Sequence, residues 1–501
     1  MRRGYVPHQE IRPSTTVAMT PILLLSIVFG YFLLLLGIAW YTGRGASEHA
    51  FYSGERKSLW WVVAFGMIGT SLSGVTFISV PGAVAKSHWT YLQLVIGFAI
   101  GYWIVAGVLL PLYYRMQLTS IYGYLRERLG MVSYRTGASW FILSRLMGAT
   151  LRIYVVLNVI HVFTLERMEI PFWLTAAVVM LMIVLYTFQG GVKTIVWTDT
   201  LQTVFMLAAL VGTIVYIINS PGMEGWGSML SASGMTGVWN LDWKSDGYFL
   251  KQVLSGVFIT IVMTGLDQEM MQKNLSVRTV EGAQKNMRVF SVVLLGVNVL
   301  FLLLGALLWL KLGQMGVAAP EKSDALFPTM ALQHFPSWLG LLFIIGLISA
   351  LFPSADGALT ALTASTCIDL IGVRDRGWDE KKQRNVRRIV HLSMAVLFFG
   401  SIMWFHWRQD PTIIKTLFDL AAITYGPLLG LFAFGLFTRM KVHGAAVPLV
   451  CINAALATFL LRANSAALFG GYQMGFETLI VNGLLTFLGL WSVCRAPQDA
   501  V

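Results

Sequence analysis

The sequence predicts an all-α, polytopic membrane protein, and three observations predict it. Of the 501 residues, 56% are hydrophobic and only 12% are charged, where soluble globular domains carry roughly 25% charged residues. Apolar runs of about 20 residues, each able to cross roughly 30 Å of hydrocarbon, recur along the whole chain. Two of these runs fill with small and hydroxyl residues at mid-depth, which a helix facing only lipid has no reason to do.

About thirteen spans are expected by the ~20-residue criterion, at 20–41, 60–82, 91–112, 135–163, 171–188, 196–219, 249–272, 287–311, 338–370, 388–407, 413–437, 444–461 and 474–494. No long polar block separates them, so 1–501 reads as one transmembrane domain. The polar stretch 1–19 precedes the first span. That span, 20–41, ends in Trp40-Tyr41 without a small-residue cleavage signal and reads as a retained helix rather than a signal peptide.

The second span opens as an ordinary membrane helix with Trp60, Trp61 and Val62. Its middle then carries Gly69, Thr70, Ser71, Ser73, Gly74 and Thr76, and it ends in Pro81-Gly82. Inside hydrocarbon an opened backbone is tolerated only where it is buried in protein or lines a cavity. Its carbonyls and hydroxyls are then available to a cation or a polar solute, which is the pattern of a transport site. Span 249–272 is interrupted in the same way by Thr260, Thr264 and Gly265. The two broken spans lie five spans apart, the sequence trace of an inverted repeat around a central site. The repeats are then 60–219 and 249–437, with 20–41 as an extra helix and 444–494 as two C-terminal helices. A third break is expected at Tyr425-Gly426-Pro427, where proline frees a carbonyl and kinks the helix, as suits a hinge or gate.

The net charge of +12 reads as the positive-inside rule rather than as nucleic-acid binding. Arg115, Arg126, Arg128 and Arg135 follow the third span, and Lys273, Arg278, Lys285 and Arg288 follow the seventh. Arg374, Arg376, Lys381, Lys382, Arg384, Arg387 and Arg388 follow the ninth. All three groups fall on one side, expected to be cytoplasmic, with the N-terminus outside and the C-terminus inside a plasma (inner) membrane. Cys367, Cys451 and Cys494 have neither metal-ligand spacing nor obvious pairing. The 17 tryptophans mostly flank spans as interfacial belts.

Ionisable residues at membrane depth are functional hypotheses by default. Asp199 stands just inside its span, either as a cation ligand or as an interfacial cap beside Trp197 and Thr198. Asp356 lies near Ser354 and Thr360. Sodium, a hard cation, suits these carboxylate, hydroxyl and carbonyl oxygens. Arg145 is expected to snorkel toward the interface. Arg152, two turns on and deeper, either grips a substrate carboxylate with two hydrogen bonds or pairs with an aspartate such as Asp199. Asp419 either binds substrate hydroxyls or pairs with Lys415 at i,i+4. His161 and His406 lack a second histidine at ligand spacing and read as structural.

Four segments together resemble the sodium/solute symporter family: FYSGERKSLWWVVAFGMIGTSLSGVTFISVPG, GGVKTIVWTDTLQ, TGLDQEMMQKNLSVRTVEGAQK and ITYGPLLGLFAFGLFTRM. They keep the family's order from about residue 50 to 445. The resemblance implies the leucine-transporter fold, with two inverted five-helix repeats. It implies a sodium site made by the backbone of Gly69, Leu72 and Ala350 with the hydroxyl of Ser354, the neighbouring hydroxyl position being taken by Pro353. Asp199 resembles an aspartate of an additional cation site, so Asp199, Ser354 and Asp356 form a candidate cluster for sodium or a proton. Ser71, Ser73 and Thr76 fall where sialic acid transporters of the family present hydroxyls, with Arg152 as carboxylate partner and Asp419 at a sugar-binding position. The resulting expectation is a sodium-coupled symporter, not an enzyme, that imports a small organic acid such as a sialic acid or monocarboxylate. A neutral sugar or polyol symporter and a proton-coupled or facilitative carrier are the alternatives, and a membrane sensor is a third, for which no output domain follows the last span. Sodium, a small solute and the bilayer are its expected partners, with no nucleic acid and no obligate protein partner.

Overall fold

A computed structural model describes residues 21–43, 58–408 and 413–495; the expected outer tail lies outside them. Among these residues, nine helices are long and apolar enough to cross a membrane, the first at Leu25–Thr42 and the last at Gly444–Ala463. Two more spans are bent pairs: Trp60–Ser71 with Gly74–Ser87 at 56°, and Phe249–Gly265 with Gln268–Leu275 at 65°. The shorter apolar helices Phe172–Phe188 and Thr478–Ser492 lie where spans 171–188 and 474–494 are expected.

The expected gap between 171–188 and 196–219 is hydrogen-bonded as helix, giving one trace of 47 residues over Phe172–Ile218. Straight, it would be about 70 Å long, twice the hydrocarbon thickness. Yet Tyr186 bonds Asp356 while Asp199, thirteen residues on, bonds Lys273 beside the same carboxyl.

Helix Ser337–Ser365 is the central staff: nearly all its residues are buried, including Ala350, Pro353, Ser354 and Asp356. It packs along Phe172–Ile218 and against both broken spans. Helices Tyr91–Ile104 and Phe249–Thr260 approach backbone to backbone. A Cβ at Gly97 would stand 2.2 Å from the Val253 carbonyl oxygen, and one at Gly256 would stand 2.2 Å from that of Leu94.

The third expected break is corrected by the structure. Ile413–Phe437 is one helix with Pro427 inside it. Proline at 427 deprives the Ile423 carbonyl of its i+4 donor, and Asn482 supplies another, its Nδ2 lying 2.8 Å from that oxygen and 3.2 Å from the Ala422 oxygen. A Cβ at Gly426 would stand 2.2 Å from the Asn482 side chain, so glycine admits the asparagine that keeps the helix whole.

The three basic segments do share one end of the bundle. Arg126 pairs with Asp375 at 2.9 Å, Arg374 bonds Thr119 at 3.0 Å, and Tyr114 donates to the carbonyls of Asn274 and Val277 at 3.0 and 2.8 Å. Lys273 is the exception. It belongs to the helix Gln268–Leu275 and is buried, not a loop anchor.

The Gly97–Gly256 approach leaves no room for a side chain. Overpacking costs typically 1–3 kcal/mol, so Gly97→Val should lower the melting temperature of the purified protein by an amount equivalent to about 2 kcal/mol. Gly296→Val, at a position with nothing within 4 Å, should melt near wild type in the same scan.

Candidate functional site

The first broken span sets the site. Its first half ends at Ser71, and Leu72 (φ −85°, ψ 76°) and Ser73 (φ −74°, ψ 174°) carry the chain across the break. The last four carbonyls of a helix have no partner within it. Leu72 N–H returns to the Ile68 oxygen at 2.8 Å, and those of Gly69, Thr70 and Ser71 fall at the end of the half-helix. The glycines around the break serve packing. A Cβ at Gly69 would stand 2.4 Å from Thr203 Oγ1, and one at Gly74 would stand 2.0 Å from Val156 Cγ2.

Beside the break lies a cavity of about 90 Å³, measured as the space open to water centres, and Ser71, Ser73, Thr76, Arg152, Tyr91 and Thr264 are among its walls. Arg152 reaches it from helix Met131–Ile160, and its buried Nε has no hydrogen-bond partner among the described residues. Val80 and Tyr91 also border a second cavity of about 670 Å³, which runs toward 234–247 and 323–324. The wider space thus opens away from the basic segments. At its margin, burial raises the carboxyl of Asp324 above its ordinary value.

Below the cavity is a buried ionic cluster. Lys273 Nζ lies 2.6 Å from Asp199 Oδ2, 2.6 Å from Thr70 Oγ1 and 3.5 Å from Glu269 Oε1. Thr70 also bonds Asp199 Oδ2 at 3.2 Å. Arg145 pairs with Glu269 and lies 3.5 Å from Asp267. Asp267 caps the helix Gln268–Leu275 through the amides of Glu269 and Met270 at 2.9 and 3.3 Å, and it accepts from Tyr425 at 2.9 Å. Asp356 accepts from Tyr186. Among the polar atoms here that are buried without a hydrogen-bond partner among the described residues are Asp199 Oδ1, Ser354 Oγ and Arg145 Nε.

Of the residues expected at the substrate site, Ser71, Ser73, Thr76 and Arg152 share the cavity. Asp419 is not among its walls; it pairs with Arg462, 43 residues on, and the Lys415 side chain lies outside the described residues. Gly69 and Leu72 lie at the end of the first half-helix, and Ala350, Pro353 and Ser354 on the buried staff that packs against it. Asp199 is neither an interfacial cap nor Arg152's partner; its cation is Lys273. Arg145 does not snorkel to the interface: it is 3% exposed and held by two carboxyls. His161 bonds Thr175 at 3.2 Å and His406 stacks on Phe172 at 3.8 Å, so both have structural contacts. Glu269 went unread in the sequence and Lys273 was read only as a loop charge, although their i,i+4 spacing right after the Gly265 break was a signal. Among the described residues, no three His, Cys, Asp or Glu side chains gather as a metal site.

The sodium:solute symporter family model matches residues 51–451. A sodium/sialic acid symporter of Aliivibrio fischeri is 20% identical over 92% of this chain and 92% of its own. A sodium-coupled monocarboxylate transporter 1 of Xenopus laevis is 26% identical over 85% of this chain and 68% of its own. A sodium-dependent multivitamin transporter of Oryctolagus cuniculus is 25% identical over 85% and 68%. Among solved structures, a sodium-coupled sialic acid symporter in a substrate-bound outward-open state superposes with a TM-score of 0.78 at 19% identity, over 93% of this chain and 96% of that one. A nucleobase-cation-symport-1 family transporter in a closed conformation gives 0.54 at 13% identity, over 88% and 93%. The fold is thus of the leucine-transporter type.

Glu269 holds both cations of the cluster. Removing one member of a buried ion pair costs about 3–5 kcal/mol because the other charge is left uncompensated. Glu269→Gln should therefore melt many degrees below wild type in a thermal scan. An unchanged melt would show that Arg145 and Lys273 do not depend on that carboxylate.

Proposed function

The chain belongs to the sodium:solute symporter family, and we propose that the solute it carries with sodium is a small organic acid held by Arg152. It is a multi-pass membrane transporter rather than an enzyme. The observation that carries the acid reading is Arg152 itself: a guanidinium at the wall of a hydroxyl-lined cavity, its Nε without a partner. The nearby carboxyls are bonded instead to Arg145 and Lys273. A ligand carboxylate would meet the guanidinium with two parallel charge-assisted bonds, while Ser71, Ser73 and Thr76 offer hydroxyls to the rest of the solute. Similar proteins named for sialic acid and monocarboxylate transport support the same class. A neutral hexose or polyol would leave the guanidinium unmatched.

The sodium reading rests on the Gly69 and Leu72 carbonyls, the Ala350 carbonyl and the Ser354 hydroxyl. The unpartnered, buried Ser354 Oγ is the observation in its favour. Pro353 contributes no hydroxyl, so the site has one ligand fewer than the family pattern. Asp199 and Asp356 stand beside this set as charge rather than as its proven ligands.

The conformer is read as outward-facing. Its cavity leads to the wide space away from the basic loops. On the opposite side, Tyr113 and Tyr122 bond the Gly265 and Leu266 carbonyls, each at 2.9 Å, and Tyr425 bonds Asp267. With those loops cytoplasmic, the N-terminus is outside and the C-terminus inside. Sodium organises the first break, the acid binds beside it, and the repeats 60–219 and 249–437 rock to open the inner side. Coupling requires only that ion and solute bind the two states unequally.

A thermal-shift panel of carboxylates and neutral sugars, run with and without sodium, tests this, since a ligand specific to the folded state raises apparent stability. A carboxylate should stabilise the protein only in sodium, and Arg152→Lys, which loses the planar fork, should weaken it at least tenfold. Stabilisation by a neutral sugar, indifferent to Arg152→Lys, would overturn the acid reading. Ser354→Ala should raise the sodium needed for half-maximal stabilisation by about tenfold, an order of magnitude in keeping with a lost hydrogen bond to a charged group.

A further inference from the structure

We propose that the ammonium of Lys273 is a tethered cation, filling the oxygen cage of Asp199, Thr70 and Glu269 that would otherwise take a second sodium. It therefore limits this transporter to the one ion at Gly69, Leu72, Ala350 and Ser354. The inference rests on the sodium reading above and deepens it.

Three observations carry it. First, the cage is built of the donors a hard cation selects, carboxylate and hydroxyl oxygens, and its occupant is an ammonium 2.6, 2.6 and 3.5 Å from them. Second, the cage is dry: Lys273 is 3% exposed, Asp199 0% and Glu269 2%. Lysine is almost never this buried without a fixed anionic partner. Third, the cage adjoins the sodium set. Thr70 follows Gly69 in the chain, and a Cβ at Gly69 would stand 3.3 Å from the Asp199 carbonyl oxygen.

Charge decides the occupancy. Two unit cations about 4 Å apart in a protein environment repel by an amount worth roughly a thousandfold in a binding constant. A sodium cannot share Asp199 with the ammonium at ordinary concentrations. Asp199 Oδ1, open and buried, then serves the neighbouring ion through its field rather than as the core of a second site. Lys273 and Glu269 ride on the inner half of the second broken span, so the cation also ties that half to Thr70 of the first.

Equilibrium binding of radioactive sodium to the purified full-length protein in detergent tests the inference with sodium alone as the probe. Wild type should bind one sodium per chain with a Hill coefficient near one, and Lys273→Arg should do the same. Lys273→Ala empties the cage and should bind two. The charge-balanced double variant Lys273→Ala/Asp199→Asn should return to one, with affinity within about threefold of wild type, a tolerance well under one tenfold step of binding free energy. Two sodium ions in wild type, or one in a folded Lys273→Ala, would overturn the proposal. If Lys273→Ala does not fold, the double variant decides: retained sodium supports the tethered cation, and lost sodium makes Asp199 a ligand and overturns it. No sodium bound by wild type would instead overturn the Gly69–Ser354 reading and remove the ground of this one.

Discussion

A backbone opened inside hydrocarbon must find partners within the protein, and much of this fold answers to that constraint. Each opened carbonyl costs several kcal/mol if left alone in a medium without water. At the second break, two tyrosines from the segment around 113–122 serve the Gly265 and Leu266 carbonyls. At Pro427, Asn482 serves the orphaned Ile423 carbonyl and so preserves a helix that sequence alone would break. At the first break, one amide turns back to Ile68, and Ser71, Ser73 and Thr76 line the cavity beside it. The carbonyls opened at Gly265, Leu266 and Ile423 are thus satisfied by side chains of the protein itself. Arg152 Nε, Ser354 Oγ and Asp199 Oδ1 are among the buried side-chain atoms without a hydrogen-bond partner among the described residues.

The ionic cluster under the cavity extends the same logic to charge. Asp199, Asp267 and Glu269 are buried, and each meets Lys273 or Arg145. The pairs join helix Met131–Ile160, the second broken span and the start of the 194–218 span. Buried pairs of this kind add little net stability, since desolvation offsets attraction. What they supply is a defined arrangement of charge beside the first break.

The sequence was legible where the bilayer imposes a local rule. Hydropathy located the spans, and small residues within apolar runs located both true breaks. Ser71, Ser73, Thr76 and Arg152, which line the cavity, stood out because they are polar groups at membrane depth among apolar neighbours. What was not legible depends on pairs distant in sequence. Lys273 looked like one more basic residue at a span end, since its anion lies 74 positions away. Arg145 looked like a snorkelling side chain because nothing near it in sequence is acidic. Asp419 was left between substrate hydroxyls and Lys415 because Arg462 is remote, and Tyr425-Gly426-Pro427 looked like a hinge because Asn482 is. Composition announces that a charge is costly at depth; only the tertiary fold names the group that compensates it.

One sodium carried with one monocarboxylate is an electrically neutral load, and that is the sharpest consequence of combining the acid site with the tethered cation. The direct measurement is uptake of the stabilising carboxylate into proteoliposomes under a fixed inward sodium gradient, with the membrane potential clamped at zero and then inside-negative by potassium and valinomycin. The account predicts sodium-dependent uptake whose rate is indifferent to the potential. Uptake driven several-fold faster by the inside-negative potential would mean that more than one cation travels with each acid, and would contradict it.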